Sequence, residues 1–428
     1  MEIQYYAHQR REIELLSCHP FFALFAEQGT GKTLPAMQHI LNLLTGGAIT
    51  DALVICPKAV MDGWQRTMDM FPPLHRKLLR RAVTVINYDL VWRRPTFLQP
   101  WGCVILDESH FIKHRTSRRA KFILKLGQLA SYRYILTGTP IGNSHWEELW
   151  SQFNFLDPAI LGKYSAFEKR YCILNQYFKP YRYIHTDELK TKIAPYVFSV
   201  RKVNCLDLPK KLPPERYTFE LQERTLYKEM LKNYIEELDV EAKNPLARLT
   251  KLRQMCSGFI PDGDGTIHRL RCEKPAGLAG FLDNWDAKLV IFAEYKQSIR
   301  DISAVLKKRK IHFVVLDGDQ KDKGIWKQFQ MEPAIQVIVC QYKSAAQGID
   351  LFAADTIIFY EPTLSSQTFE QACDRIHRVG QTQKCSYILL ETKGTIEVSM
   401  WSALARHHDF DERELWDALK EVKQNECS

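Results

Sequence analysis

The sequence predicts an α/β protein built from two parallel-sheet lobes with helical insertions, and three observations carry that expectation. Short apolar runs alternate with helical patterns from residue 21 to residue 138, which is the rhythm of a parallel sheet covered by helices. The same rhythm returns between residues 289 and 390. The chain's 428 residues also exceed what one hydrophobic core accommodates, and they fit two domains of ordinary size.

The strand runs of the first lobe are Phe21 to Ala26, Ala52 to Cys56, Val83 to Asn87, Cys103 to Leu106 and Tyr132 to Leu136. Those of the second are Leu289 to Ala293, His312 to Leu316, Gln336 to Cys340, Thr356 to Tyr360 and Ser386 to Leu390. From about Ile141 to Asp286 the texture changes to helical patterns, aromatic residues and charge. Within it, Leu206 to Pro214 is punctuated by prolines that no helix crosses intact. The lobe boundary is placed there. Residues 1–208 form the first lobe, with a helical protrusion at about 141–200. Residues 209–428 form the second, with a helical insertion at about 221–285 and C-terminal helices.

A chain 45% hydrophobic and 25% charged is a folded rather than a disordered one. Its net charge of +9 and pI near 8.9 are compatible with a polyanionic partner. Eleven cysteines without a C-x-x-C pair read as reduced thiols. Cys256, His268 and Cys272 lack a fourth ligand and match no standard zinc spacing. The N-terminus has no basic start and apolar core, and no apolar run is long enough to span a bilayer, so an intracellular protein without a membrane partner is expected. Lys307 to Lys310 reads as the cationic end of a helix.

Four stretches carry chemistry. Ala26-Glu27-Gln28-Gly29-Thr30-Gly31-Lys32-Thr33 joins a strand to a helix through a tight loop, so that backbone N–H groups and a helix N-terminus surround one point. That arrangement suits a triphosphate, with Gly29, Thr30 and Gly31 as the cradle, Lys32 on the β/γ-phosphates and Thr33 on Mg²⁺. Val104 to His110 ends a buried strand in Asp107 and Glu108, where a parallel sheet places its ligands. Asp107 is expected to share the Mg²⁺, and Glu108 to orient or deprotonate the attacking water. Leu136-Thr137-Gly138-Thr139-Pro140 ends another strand at the same edge and is suited to sensing the γ-phosphate. Gln371 to Gln381 is expected on a helix, with Arg375 and Arg378 on one face as arginine fingers for phosphoryl transfer.

Together these stretches resemble the Swi/Snf branch of helicase-like ATPases, in superfamily two. The most discriminating run is Asp374-Arg375-Ile-His-Arg378-Val-Gly380-Gln381. Further matches include Trp64, Tyr88, Asn143, Glu148-Leu149-Trp150, Arg201-Lys202, Arg253-Gln254, Gly348-Ile-Asp350-Leu351 and Gly394-Thr-Ile-Glu397. They extend from about Tyr5 to about Leu404. Departures are Ala26-Glu27-Gln28 for Asp-Glu-Met, His8-Gln9 for Tyr-Gln, and Gln347 for a glycine.

The resemblance implies two RecA-like lobes, the P-loop NTPase fold of a superfamily two helicase core, with ATP and Mg²⁺ as cofactors. It implies adenine recognition by Gln9 and nucleotide contacts by Gly348, Asp350 and Gln381. It also implies ATP-driven tracking along double-stranded DNA, with Lys58, Asn87, Tyr342 and Lys343 at DNA-contact positions. Five basic residues in nine, Lys113 to Lys121, add Lys113 and Arg115 as sequence-neutral phosphate contacts. The alternatives are a strand-separating DNA or RNA helicase and an ATP-switched scaffold on nucleic acid. Because the motor motifs occupy nearly the whole sequence, the expectation is a minimal, monomeric motor. Its expected setting is the cytoplasm or nucleoid of a bacterial or phage-infected cell, where a protein partner or DNA structure recruits it.

Overall fold

Strands with no polar residue, such as Ala52–Cys56 and Leu289–Ala293, are accommodated in parallel sheets covered on both faces, and the computed structural model contains two. The structure describes residues 3–141, 145–206, 208–232, 234–235, 240–242, 244–283, 285–320, 322, 324–345 and 349–407. The chain divides into two compact units, Met1–Asp207 and Leu208–Ser428.

The first unit contains β1 (Phe21–Ala26), β2 (Ala52–Cys56), β3 (Val83–Asn87), β4 (Cys103–Asp107), β5 (Tyr132–Leu136), β6 (Cys172–Leu174), β7 (Pro180–Tyr183) and β8 (Val197–Val200). Six of these form a parallel sheet in the order β3-β2-β4-β5-β1-β8. Successive side chains of a strand point to opposite faces. Leu53, Ile55, Val104 and Leu106 therefore enter one core with Ile123, Leu149 and Phe153. Ala52, Val54, Cys103 and Ile105 enter the other with Met37, Ile40 and Trp64.

The second unit contains β9 (Glu215–Phe219), β10 (Tyr234–Ile235), β11 (Val240–Glu241), β12 (Phe259–Pro261), β13 (Ile267–Arg269), β14 (Leu289–Ala293), β15 (Phe313–Leu316), β16 (Val337–Gln341), β17 (Thr356–Phe359) and β18 (Ser386–Thr392). Its six-stranded sheet runs β15-β16-β14-β17-β18-β9, again parallel throughout. Beside it, Lys274 Nζ donates to both oxygens of Glu397 at 2.6 and 2.8 Å and to the Tyr360 carbonyl at 3.2 Å, with neither charged side chain exposed.

The protrusion and insertion are not purely helical. Helices Glu148–Leu156, Tyr164–Tyr171 and Thr186–Ile193 occupy the first, together with the β6–β7 hairpin and edge strand β8. The second insertion holds the β10–β11 and β12–β13 hairpins. These strands are short, and edge strand β9 is largely exposed and carries charge, the way edges avoid further pairing. None has the apolar run that marks a central strand. Among the described residues, no helix is long and apolar enough to cross a membrane.

Candidate active site

The carboxyl ends of β1, β4 and β5 lie side by side in the first unit's sheet, so the loops that follow them converge. The loop after β1 turns through Gly29 and Gly31, both with positive φ of 84° and 82°, a region glycine enters without steric cost. Thr30 closes the turn by donating its hydroxyl to the Glu27 carbonyl at 2.8 Å. Helix Thr33–Thr45 starts immediately after Lys32, with the Leu34 N–H turned back onto the Gly31 carbonyl at 3.3 Å and Pro35 fixing the first turn without an N–H.

Helix Ala7–Cys18 braces this loop from behind. Nε2 of His8 lies 2.9 Å from the Thr30 carbonyl, and Gln9 donates to the Gly31 carbonyl at 3.1 Å. The Gln9 oxygen accepts from the Tyr6 N–H at 3.1 Å. Both ends of the amide expected to read adenine thus hold backbone here. On the far side, a Cβ on Gly138 would lie 3.1 Å from both the Ala26 carbonyl and the Gln28 nitrogen. The Thr137-Gly138-Thr139 tip therefore rests directly on the loop backbone.

Lys32 points at the end of β4. Its Nζ donates to Glu108 Oε1 at 3.1 Å. Burial alone pulls its pKa down, but Glu108, Asp107 and Glu12 more than offset this and leave it raised. Asp107 is held by the Trp64 indole N–H at 2.8 Å on one oxygen and by the Glu108 N–H at 3.0 Å on the other. Burial lifts its pKa to about 6, against the opposing pull of Lys32. Glu108 itself has φ 52°, a left-handed backbone that is uncommon for a residue with a side chain. Its second oxygen faces Nδ1 of His110 at 3.4 Å and the Thr137 hydroxyl at 3.5 Å. Burial lowers the His110 pKa to about 4, so the ring is neutral.

Two contributors lie outside the motifs. Gln152 accepts from Ser109 at 2.7 Å and donates to the Pro140 carbonyl at 2.7 Å, tying the β4 and β5 loops together. Glu12 is fully buried, with neither carboxylate oxygen hydrogen-bonded. Burial raises its pKa to about 8 while Lys32 opposes the shift. Only its neighbourhood to Lys32 marks it, which the sequence around Gln9 does not reveal.

A hard divalent cation fits the donor set. The Thr33 hydroxyl has no partner among the described residues, and Asp107 supplies a carboxylate, the oxygen chemistry that Mg²⁺ prefers.

The second-unit residues are placed differently from the expectation. Helix Ser366–Cys373 ends before Arg375, so Arg375 and Arg378 sit in the following turns rather than on one helical face. There both guanidinium groups reach backbone carbonyls. Arg375 donates from Nε to the Gln371 carbonyl at 2.8 Å and from Nη1 to that of Ile349 at 3.2 Å. Arg378 reaches the same Ile349 carbonyl at 3.0 Å and pairs with Asp350. Gln381 donates to the carbonyls of Phe352, Ala354 and Ile376 and accepts from the N–H groups of Thr382 and Gln383. It organises the turn instead of presenting a free amide. Gly348, with Gln347 and Asn143, lies outside the described residues.

The expected DNA contacts separate into two groups. Lys58 and Lys343 are exposed. Tyr342, in contrast, is completely buried, with its hydroxyl on the Glu361 carbonyl at 2.8 Å, so it is a core residue. Asn87 is a helix N-cap, accepting from the N–H groups of Asp89 and Leu90, and has little surface. In the basic run, Lys113 pairs with Glu148 at 2.8 Å and Arg119 with Asp89 at 2.5 Å. Arg115 lies 3.6 Å over the Tyr164 ring. The continuous basic stripe is therefore broken by acids and a ring from distant segments, and Arg118 and Lys121 are its exposed remainder.

Residues 74–258 match the SNF2-related domain family, and residues 273–380 match the helicase conserved C-terminal domain family. The two matches place an SNF2-related stretch ahead of a helicase C-terminal stretch in this chain. Its two units are the RecA-like lobes of the superfamily two fold. An uncharacterized ATP-dependent helicase of Mycoplasma genitalium is 26% identical over 90% of this chain and 39% of its own length. The human DNA annealing helicase and endonuclease ZRANB3 is 27% identical over 77% of this chain and 32% of its own. The chain thus spans well under half the length of these relatives. The Sulfolobus solfataricus SWI2/SNF2 ATPase core in complex with dsDNA aligns over 99% of this chain and 97% of its own, with 23% identity and a TM-score of 0.46. In this chain, the loop after β1 and the end of β4 meet through Lys32 and Glu108 at 3.1 Å.

Proposed function

We propose that the protein is a DNA-stimulated ATPase that couples hydrolysis to movement along double-stranded DNA and so remodels DNA or protein–DNA complexes. The observation that carries the reading is the buried contact of Lys32 with Glu108 at the convergent ends of β1 and β4. A triphosphate entering the loop offers Lys32 a stronger anionic partner and frees Glu108 to orient or deprotonate the attacking water. Neutral His110 and Thr137 then hold Glu108 in place. Mg²⁺, held by Thr33 and Asp107, would neutralise charge on the β- and γ-phosphates. Arg378 is the candidate arginine finger carried by the second unit, and Arg375 fixes the turn that bears it.

The polyanionic partner is supported by the net charge of +9 and by the SNF2-related match. Lys58, Lys343, Arg118 and Lys121 are the candidate phosphate contacts, and such contacts read no sequence. The test is phosphate release with and without blunt duplex, paired with displacement of a third strand from a triplex. Stimulated hydrolysis and third-strand displacement without unwinding of a forked duplex support the reading. Efficient unwinding, or hydrolysis indifferent to duplex, overturns it.

A further inference from the structure

The β6–β7 hairpin of the first lobe is built to expose aromatic rings. At its base, the Tyr183 hydroxyl donates to Glu147 and lies 3.1 Å from Nδ1 of His145. The neighbouring Tyr171 donates to Glu188 at 2.9 Å. These bonds anchor an antiparallel pair that is too short to be stable alone. The tip is organised by Asn175, whose side-chain oxygen accepts from the N–H groups of Tyr177 and Lys179 at 2.9 and 3.1 Å. Its backbone also exchanges bonds with Lys179 and Phe178.

The result is costly in water. Tyr177, Phe178 and Tyr181 are 71%, 83% and 63% exposed. Phe178 has φ 56°, a backbone region that a bulky residue enters only under constraint. Adjacent large exposed apolar groups mark an interaction surface. Their companions define its partner. Lys179 and Arg182 are exposed without side-chain partners among the described residues, and no acidic residue occurs from Cys172 to Tyr183. By contrast, the nearby cations Arg170 and Lys190 are paired with Glu188 and Asp187.

Rings interleaved with free cations match a ligand that alternates flat bases and phosphates. We propose that this hairpin is a stacking wedge for unpaired bases, through which the motor selects DNA carrying a single-stranded junction over continuous duplex. Tyr177 and Phe178 stack on the first unpaired bases, and Lys179 and Arg182 hold the adjoining phosphates. A continuous duplex offers the rings no open base face. The proposal rests on the DNA-motor reading and narrows its substrate.

The test compares a forked duplex, bearing 2-aminopurine at the first unpaired position, with a blunt duplex of equal length, both without nucleotide. The wild-type protein is expected to prefer the fork and to quench the 2-aminopurine. Tyr177→Ala/Phe178→Ala is expected to lose about tenfold in fork affinity and lose the quench, with blunt-duplex affinity and duplex-stimulated hydrolysis kept. Phe178→Trp should retain the quench. Equal wild-type affinity for fork and blunt duplex, or a double variant with undiminished fork binding, overturns the wedge and assigns the hairpin to another partner. Failure of blunt duplex to stimulate hydrolysis in the wild-type protein instead overturns the motor reading, independently of the hairpin.

Discussion

Lys32 Nζ lies 3.1 Å from Glu108 Oε1, across 76 residues of sequence, with the two side chains only 11% and 8% exposed. The pair is a structural ion pair and, on the proposed function, also the poised arrangement of a phosphate-binding lysine and a water-activating carboxylate. These roles separate in a double variant. Lys32→Ala strands Glu108 in a dry site and should destabilise the first lobe by about 3 kcal/mol. Lys32→Ala/Glu108→Gln should recover most of that loss in urea denaturation. Neither variant should hydrolyse ATP above about one-hundredth of the wild-type rate. Recovery of hydrolysis in the double variant would show that the pair acts only in folding.

Glu12 makes a second prediction, with a pH sign. Burial lifts its carboxyl from 4.5 to about 8 in the folded chain, so the folded state holds a proton that the unfolded state has released. Its contribution to stability is complete below about pH 4.5 and is lost as pH rises toward 8. Glu12→Gln keeps the neutral shape and cannot ionise. It should leave stability unchanged at pH 4 and raise it by a few kcal/mol at pH 9. Thermal denaturation at the two pH values checks this, and an equal shift at both would contradict it.

The site's legibility in sequence follows the same division. Lys32, Asp107 and Glu108 were readable because a strand-loop-helix or strand-end motif creates their chemistry locally, and the apolar runs of β1 to β5 gave the sheet that joins them. Glu12 and Gln152 were not readable, since each acquires its role from a partner brought near only by folding. The same reason hid the neutralisation of Lys113 by Glu148 and the burial of Tyr342. Strands β8 and β9 escaped because Val197–Val200 and Glu215–Phe219 are broken by polar or charged residues, whereas the other two edge strands, β3 and β15, carry apolar runs that the pattern does report. Arg375 and Arg378 have helical spacing, yet three residues apart can also be two anchors of one turn when both reach the Ile349 carbonyl.

Gly138 tests how closely the β5 tip and the phosphate loop are fitted. A methyl group there would lie 3.1 Å from the Ala26 carbonyl and the Gln28 nitrogen, both backbone atoms that yield only if the loop moves. Gly138→Ala should cost about 1–3 kcal/mol of stability and weaken binding of a nonhydrolysable ATP analogue roughly tenfold. Calorimetric titration of the analogue measures the second effect. Unchanged affinity would mean that the loop is not held by this contact when nucleotide binds.

Arg375 and Arg378 share one carbonyl but differ in exposure, and this predicts a split between folding and catalysis. Arg375 is 4% exposed, and its removal takes a donor from the buried Gln371 carbonyl, while the Ile349 carbonyl keeps only Arg378. Arg375→Ala should therefore destabilise the second lobe by about 1–3 kcal/mol. The Arg378 side chain is 25% exposed and that of Asp350 33%, so water compensates the broken pair and Arg378→Ala should cost under about 1 kcal/mol. Its hydrolysis should nevertheless fall by roughly a thousandfold if the guanidinium stabilises the transferring phosphoryl group. Arg378→Lys retains the charge beside Asp350 but loses the planar fork, so hydrolysis should remain low while stability is unchanged. Single-turnover phosphate release, measured beside denaturation of each variant, distinguishes the two residues. A thousandfold loss in Arg375→Ala with none in Arg378→Ala would exchange their assigned roles.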